Sequence, residues 1–152
     1  MNRKKIRDTV LTLSLILILS FLLNYIWESV HEAFLYEKHS FHAEKYILMM
    51  LRVATVDAFI ILGIYLGMAT LWKDILWLQK MRKLQVYISC LAGLLIAAII
   101  EYWNVQVVKE WSYAPGMPTI FGIGLSPLLQ LSTTVLLTFW VVRRILYQKG
   151  TC

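Results

Sequence analysis

The sequence has little charge, few cysteines and no polar linker. Only 16% of its 152 residues are charged, whereas soluble domains contain about 25%, and 59% are hydrophobic. This composition argues against a soluble protein and favours a membrane protein. The two cysteines, Cys90 and Cys152, are far apart and form no Cys-x-x-Cys pair, so we expect no structural disulfide. Because no internal repeat is present, we expect one integral membrane domain over residues 1–152.

Four long apolar runs predict an all-α fold, a bundle of four transmembrane helices. A helix rises about 1.5 Å per residue, so roughly 20 residues cross the hydrocarbon layer. The predicted spans cover about residues 9–36, 46–72, 84–108 and 127–147. The first span follows a basic N-terminus, as in a signal peptide. However, it is too long and no small-residue cleavage site follows it, so we expect it to be retained.

The distribution of basic residues predicts that both termini lie in the cytoplasm. The chain has a net charge of +6, and most of its 15 Lys and Arg residues fall at the N-terminus, between the second and third spans, or at the C-terminus. These residues are Arg3, Lys4, Lys5, Arg7, Lys73, Lys80, Arg82, Lys83, Arg143, Arg144 and Lys149. Basic residues in short connections stay on the cytoplasmic side. The positive charge therefore indicates an N-in/C-in topology, and we expect no binding of nucleic acid.

The segment 111–127, WSYAPGMPTIFGIGLSP, differs from the rest of the chain. It contains all three prolines and three of the seven glycines, without any charge. Irregular backbone is tolerated in a membrane only against protein or a wet cavity. We therefore expect an ordered loop over the outer end of the bundle, or a partly re-entrant one. Ser126 and Pro127 then form the N-cap and first residue of the fourth helix.

Polar residues interrupt the end of the first span, in the stretch NYIWESVH from Asn24 to His31. A helix turns about 100° per residue, so Asn24, Glu28 and His31 lie on one face, as expected for contact with a partner. Asp57 and Glu101 reach a similar depth in the second and third spans. A charged residue at mid-membrane costs about 2.5–3.5 kcal/mol. Three carboxyls at one level therefore predict a polar site in the outer half of the bundle.

The leading hypothesis is a site that binds or transforms a lipid-like or isoprenoid-like molecule. A carboxyl in a low-dielectric pocket can donate a proton near neutral pH, and aromatic walls can hold a ring system or a developing cation. The candidate catalytic residues are Glu28, Glu101, Asp57 and His31. The candidate binding residues are Asn24, Trp27, Asn104, Trp103, Trp111, Tyr113 and Arg52. Among these candidates, we expect Arg52 and His31 to be partners of the carboxyls. We expect no cofactor.

Other interpretations of these residues remain open. Glu28-x-x-His31 has the spacing of half a di-metal site in a helical bundle, and His39-x-x-His42 is a second pair of potential ligands, although the leading hypothesis includes no metal. The polar residues would otherwise hold the helices together. In that case their partners on the fourth helix would include Gln130, Ser132, Thr133 and Thr134.

A G-x-x-x-G pattern, from Gly63 to Gly67, indicates close contact with another helix. It suggests a homo-oligomer, or a non-enzymatic protein that acts as an assembly partner. A third alternative is a small transporter subunit, which would need a polar path to the inner face. The inner halves of the spans offer few polar residues for such a path, mainly Ser14, Ser20, Thr70 and Ser89.

Five motifs along the chain are distinctive. They are NYIWE from Asn24, EYW from Glu101, WSY from Trp111, Met117-Pro118, and GIGLSPLLQ from Gly122. Together they resemble a family of small bacterial four-helix membrane proteins, most of them uncharacterised. The resemblance covers most of the chain, and it implies a multi-pass protein of the bacterial cytoplasmic membrane. It places Asn24, Trp27, Glu28 and Glu101 within the family pattern and implies no particular activity.

Overall fold

The computed structural model describes residues 3–35 and 43–147, without the side chains of residues 31–33 and 43. This part of the chain contains four long helices: α1 (Arg3–Leu35), α2 (Ala43–Leu71), α3 (Lys83–Glu101) and α4 (Leu125–Tyr147). A 3₁₀ turn, Trp77–Lys80, lies between α2 and α3, and α3 continues as a π-helix over Tyr102–Val108. Two short antiparallel strands, β1 (Thr119–Ile120) and β2 (Ile123–Gly124), precede α4.

All four helices are long and apolar enough to cross a membrane. The candidate spans are Arg3–Val30, Glu44–Leu71, Lys83–Val108 and Leu125–Tyr147. The chain therefore has the helices of a multi-pass membrane protein, and they coincide with the four predicted apolar runs. However, α1 begins before the first run, at Arg3. Lys and Arg are good helix formers, so the basic N-terminal residues extend the helix beyond its apolar part.

The helices form a bundle in which α1 packs against α2 and α4, and α4 packs against α3. The helices α2 and α3 meet at fewer positions. The pair α1 and α4 is antiparallel, since Thr12 contacts Tyr147 near one end and Asn24 contacts Gln130 near the other. We call the end with the start of α1 the terminal end, and the end with residues 109–124 the loop end.

Three buried aromatic rings form the centre of the terminal half. Tyr65, Trp77 and Phe139 lie with ring centroids 5.4 to 5.9 Å apart. The Tyr65 hydroxyl donates a hydrogen bond to the carbonyl oxygen of Ile75, and the Trp77 indole N–H donates to that of Tyr65 at 3.3 Å. These contacts fix the α2–α3 connection on the bundle, so that its residues line the terminal end.

Gly93 allows α3 and α4 to pack closely. A Cβ atom at this position would lie 3.1 Å from the Cα of Ser132 and 3.2 Å from the carbonyl oxygen of Leu131, so glycine favours this close approach of the two backbones. Gly63 and Gly67 are exposed instead, and a Cβ atom at either would meet no atom within 4 Å. Within the described residues, no helix packs on the G-x-x-x-G pattern, and the homo-oligomer stays a prediction.

Candidate functional site

Carboxyls from α1 and α2 meet at one amide on α4. The Nε2 atom of Gln130 lies 2.6 Å from Glu28 Oε1 and 3.2 Å from Asp57 Oδ2. Gln130 is buried, in the second turn of α4, and therefore lies close to the loop end. One side-chain amide thus connects three of the four helices.

Asn24 extends this network towards the middle of the bundle. Its Oδ1 atom lies 3.2 Å from both Gln130 Nε2 and Thr134 Oγ1. Its Nδ2 atom donates a hydrogen bond to the backbone carbonyl of Ser20 at 2.8 Å. Asn24 and Glu28 are four residues apart on α1, as Gln130 and Thr134 are on α4. Two helical stripes of polar residues therefore face each other across the interface between α1 and α4.

Glu101, at the end of α3, accepts two hydrogen bonds from the segment that follows. It is only 5% exposed, and its Oε2 atom lies 2.5 Å from the Tyr113 hydroxyl and 3.4 Å from the Trp111 indole nitrogen. The Tyr113 hydroxyl oxygen in turn accepts the backbone N–H of Gly124 at 2.9 Å. Burial, followed by the hydrogen bond to Glu101, raises the pKa of Tyr113 above its usual range. The hydroxyl therefore keeps its proton and remains the donor to Glu101.

The segment after α3 turns back over the loop end. Lys109 ends the π-helix in the left-handed region, with a φ of 57°. The N–H of Ala114 donates a hydrogen bond to the carbonyl oxygen of Leu35 at 3.0 Å, which joins the segment to the end of α1. A Cβ atom at Gly124 would lie 3.0 Å from the Tyr113 ring, so a larger residue would crowd the ring and glycine favours this close approach.

The two groups of hydrogen bonds are neighbours at the loop end, where Glu101 is close enough to Asp57 for an electrostatic interaction. Glu28, Asp57 and Glu101, which the sequence places at a similar depth on three helices, thus occupy one region of the loop end. We call the group formed by Asn24, Glu28, Asp57, Glu101 and Gln130 the carboxyl site.

Several predicted site residues lie outside this group. Trp103 is 58% exposed, and the Asn104 amide donates a hydrogen bond to the carbonyl oxygen of Ile100, within its own helix, at 2.8 Å. Arg52 is exposed and forms no ion pair with any described residue. It therefore does not neutralise the carboxyls, contrary to the expectation that it would be their partner.

Trp27 and the histidines complete the predicted set. Trp27 is half-buried, and its indole nitrogen is buried without a hydrogen-bond partner among the described residues. The side chain of His31 lies outside the described residues, and so do His39 and His42. Within residues 3–35 and 43–147, no group of three or more His, Cys, Asp or Glu side chains is arranged to hold a metal ion.

Hydrogen-bond acceptors outnumber donors around Gln130. Its amide has two hydrogens, yet oxygen atoms of Asn24, Glu28 and Asp57 lie within 3.2 Å of the nitrogen. For Asp57, this shared amide is the sole donor in the described part of the chain. Asp57 can therefore accept a further donor, whether a proton, a hydroxyl group or a cationic group.

Gln130 and Thr134 are not among the residues predicted to form the site, since the sequence indicates them only as structural partners. Their signal is a spacing of four on α4, which matches the spacing of Asn24 and Glu28 on α1. That signal shows a polar stripe. The rotation of α4 that turns the stripe towards α1 depends on packing, which the spacing does not specify.

Comparison with known proteins does not assign the chain to a family. No protein-family model, no curated protein and no solved structure matches it. The resemblance to small bacterial four-helix membrane proteins therefore stays a prediction.

Proposed function

We propose that the carboxyl site binds the polar head of a lipid-like molecule and acts on it by acid–base chemistry. The observation that carries this proposal is the single Gln130 amide shared by Glu28 and Asp57 between membrane-spanning helices. Ionisable residues inside a membrane are costly and commonly mark sites of function. A cluster that only joined helices would be expected to give Asp57 a donor of its own, whereas among the described residues it has only the amide that it shares with Glu28.

The chemistry of the site favours a ligand with a hydrogen-bond donor or a positive charge. A hydroxylated head group, or the developing cation of an isoprenoid-like substrate, would complement Asp57 and its two neighbouring carboxyls. Asp57 would be the acid–base group, because its only donor among the described residues is the shared amide. Glu28 and Glu101 would orient the ligand and stabilise positive charge.

A lipid-like ligand would enter the site between α2 and α3. These neighbouring helices meet at fewer positions than the other neighbouring pairs, and they carry Asp57 and Glu101. Phe59 and Ile99, near the two carboxyls in sequence, are largely exposed, so apolar surface flanks this route. Residues 109–124 would close the site from the loop end.

We also place the loop end outside the cell and the terminal end in the cytoplasm of a bacterium. Basic side chains are concentrated at the terminal end, in the first turns of α1, in the α2–α3 connection and at the end of α4. This is the distribution that the positive-inside rule describes. In this orientation, the carboxyl site would open to the outer leaflet of the cytoplasmic membrane.

Native mass spectrometry of the full chain, released from a bacterial membrane in gentle detergent, tests the proposed function. We expect a discrete lipid-like mass on the wild type, lost from Asp57→Asn and retained by Glu110→Gln. Glu110 is a matched control because it is exposed at the same end of the bundle. A wild type without a bound molecule would contradict the proposal, as would equal retention by both variants.

A structural role is the second candidate, and it is favoured by the contacts that Gln130 of α4 makes with α1 and α2. In that case, Gln130→Leu would lower thermal stability without changing the bound mass. The exposed Gly63 and Gly67 would then contact an assembly partner. Gly63→Leu would consequently change the oligomeric state, which the same spectra report.

Transport along the interface between α1 and α4 is not favoured by the packing there. Buried polar side chains run along α1 from Asn24 to Ser20 and recur at Thr12. Between them, however, Ile16 is fully buried, and Val142 on α4 is fully buried as well. These apolar side chains interrupt a polar path at this interface, so the geometry favours a site confined to the loop end.

A further inference from the structure

A cavity at the terminal end lies far from the carboxyl site. Its volume is about 450 Å³, and it is bounded by the start of α1, the α2–α3 connection and the end of α4. Three cationic side chains line it, those of Lys4, Arg7 and Lys80. No residue of the carboxyl site lines this cavity, so an inference from the cavity is independent of the proposed function.

The lining of the cavity has an excess of positive charge. Among the described residues that line it, the one carboxylate belongs to Asp8, whose Oδ1 atom lies 3.2 Å from Nη2 and 3.3 Å from Nε of the adjacent Arg7. An exposed ion pair of this kind contributes little energy, and it leaves part of the Arg7 guanidinium available. Arg7 and Lys80 together outweigh Asp8, so the described lining has a net positive charge without counting Lys4.

The helix dipoles do not change the positive sign of the charge around the cavity. The start of α1 contributes about half a positive charge, and the end of α4 contributes about half a negative charge at the same end of the bundle. These partial charges oppose each other. The side chains therefore determine the potential in the cavity, which favours an anion.

Gln79 and Tyr147, which are polar but uncharged, differ in whether they can donate a hydrogen bond to a ligand in the cavity. The Gln79 side chain forms no hydrogen bond within the described residues and offers an amide donor. The Thr12 hydroxyl donates its only hydrogen to the carbonyl oxygen of Asp8 at 2.7 Å. The Tyr147 hydroxyl must therefore donate to Thr12, at a distance of 2.6 Å, and it lines the cavity without a hydrogen left for a ligand.

The same cavity also has an apolar side. Leu11 and Leu146 belong to its lining, and Leu11 is 43% exposed. Both leucines lie in membrane-spanning helices, so an apolar surface leads from the cationic groups towards the hydrocarbon layer. A ligand that fits both parts carries a phosphate joined to an acyl chain.

We propose that this cavity binds the phosphate of an anionic lipid head group. Lysine and arginine side chains supply charge-assisted hydrogen bonds to phosphate oxygens, and Gln79 adds a neutral donor. Basic pockets between transmembrane helices are known to bind anionic lipids. The leucines favour a lipid over free phosphate, because a soluble anion would leave them without a partner.

The experiment measures lipid binding to the full-length protein by native mass spectrometry. Phosphatidylglycerol and phosphatidylcholine are added in equal amounts to the wild type, which should prefer phosphatidylglycerol. In Arg7→Gln/Lys80→Gln, that preference should fall by roughly 30-fold, because each basic residue near an anionic surface contributes roughly fivefold. Lys45→Gln/Lys109→Gln removes two exposed charges at the loop end and should retain the preference.

Two results would overturn the proposal. An equal loss of preference in both double variants would show that the net charge of the protein, and not this cavity, attracts the lipid. Displacement of phosphatidylglycerol from the wild type by millimolar inorganic phosphate would show that the cavity takes a soluble phosphate. Size-exclusion profiles of the variants check folding. Substitution of Arg7 and Lys80 should not affect it, because both residues are exposed.

Discussion

The two halves of the bundle are stabilised in different ways. In the terminal half, the buried rings of Tyr65, Trp77 and Phe139 pack against one another. In the loop half, Glu28 and Asp57 share one amide of α4. Close packing is favourable wherever it occurs, whereas polar groups within a membrane are costly unless each has a partner. The difference indicates that apolar packing stabilises the terminal half, whereas the loop half brings together polar groups whose role the proposed function would explain.

The largest effect is expected in the terminal half. Phe139→Ala should lower the free energy of unfolding by about 3–5 kcal/mol, because it leaves a cavity between Tyr65 and Trp77. Unfolding in detergent, followed by tryptophan fluorescence, measures this change. The control is Leu137→Ala, at a more exposed position of α4, which should change stability much less. Similar losses in the two variants would show that the rings are not the centre of the core.

In the loop half, Gln130→Leu should cost about 2 kcal/mol, because Glu28 and Asp57 lose a donor that they share. The matched control is Gln106→Leu. Gln106 is exposed, and its amide donates to the carbonyl oxygen of Gly122 at 3.2 Å, so its loss should have little effect. Chemical unfolding of both variants gives the comparison. A Gln130 variant as stable as the wild type would remove the contrast between the two halves.

Two glycine variants test whether close packing joins α3 to α4. Gly93→Ala should lower stability by about 1–2 kcal/mol, because its Cβ atom would press on the backbone of Ser132. Gly67→Ala should be neutral or stabilising by up to about 1 kcal/mol, since alanine is the better helix former and the space there is open. Thermal melts in one detergent rank the two variants. A destabilised Gly67→Ala would indicate a contact with a second molecule at that face.

The smallest effect is expected at Tyr113, where Tyr113→Phe should cost about 1 kcal/mol by removing the donor to Glu101. The folded protein raises the pKa of Tyr113 above its unfolded value of about 10. This contribution is therefore complete below pH 10 and is lost as the pH rises further. The stability difference between wild type and Tyr113→Phe should shrink in alkaline solution. A difference that stays constant between neutral pH and about pH 11 would contradict this assignment.

Helix number and approximate extent can be predicted from the sequence, because both follow from the length and apolarity of each run. The start of α1 cannot be predicted in this way, since charged residues such as Arg3 extend a helix without extending its apolar part. The π-helix that follows Glu101 is also not predictable from the sequence. Its π-helical hydrogen bonding widens the helix and changes the direction of Trp103 and Asn104 relative to a regular α-helix.

The depth of the carboxyls can likewise be predicted, because the rise per residue of a helix is constant. Rotation about the helix axis and the path of the connecting segments are set by packing. The contacts of Asp57 with Gln130 and of Glu101 with Tyr113 therefore become visible only in the structure. For the same reason, Arg52 has the correct depth for a partner of the carboxyls but lies on an exposed face of α2.

The shortage of hydrogens on the Gln130 amide has a thermodynamic consequence. Two hydrogens cannot serve the oxygens of Asn24, Glu28 and Asp57 at the same time, so more than one hydrogen-bonding arrangement is open to this amide. Without a ligand, the carboxyl site is thus not restricted to one hydrogen-bonding arrangement. A bound donor would select one arrangement, and its binding would combine a favourable enthalpy with a loss of entropy within the protein.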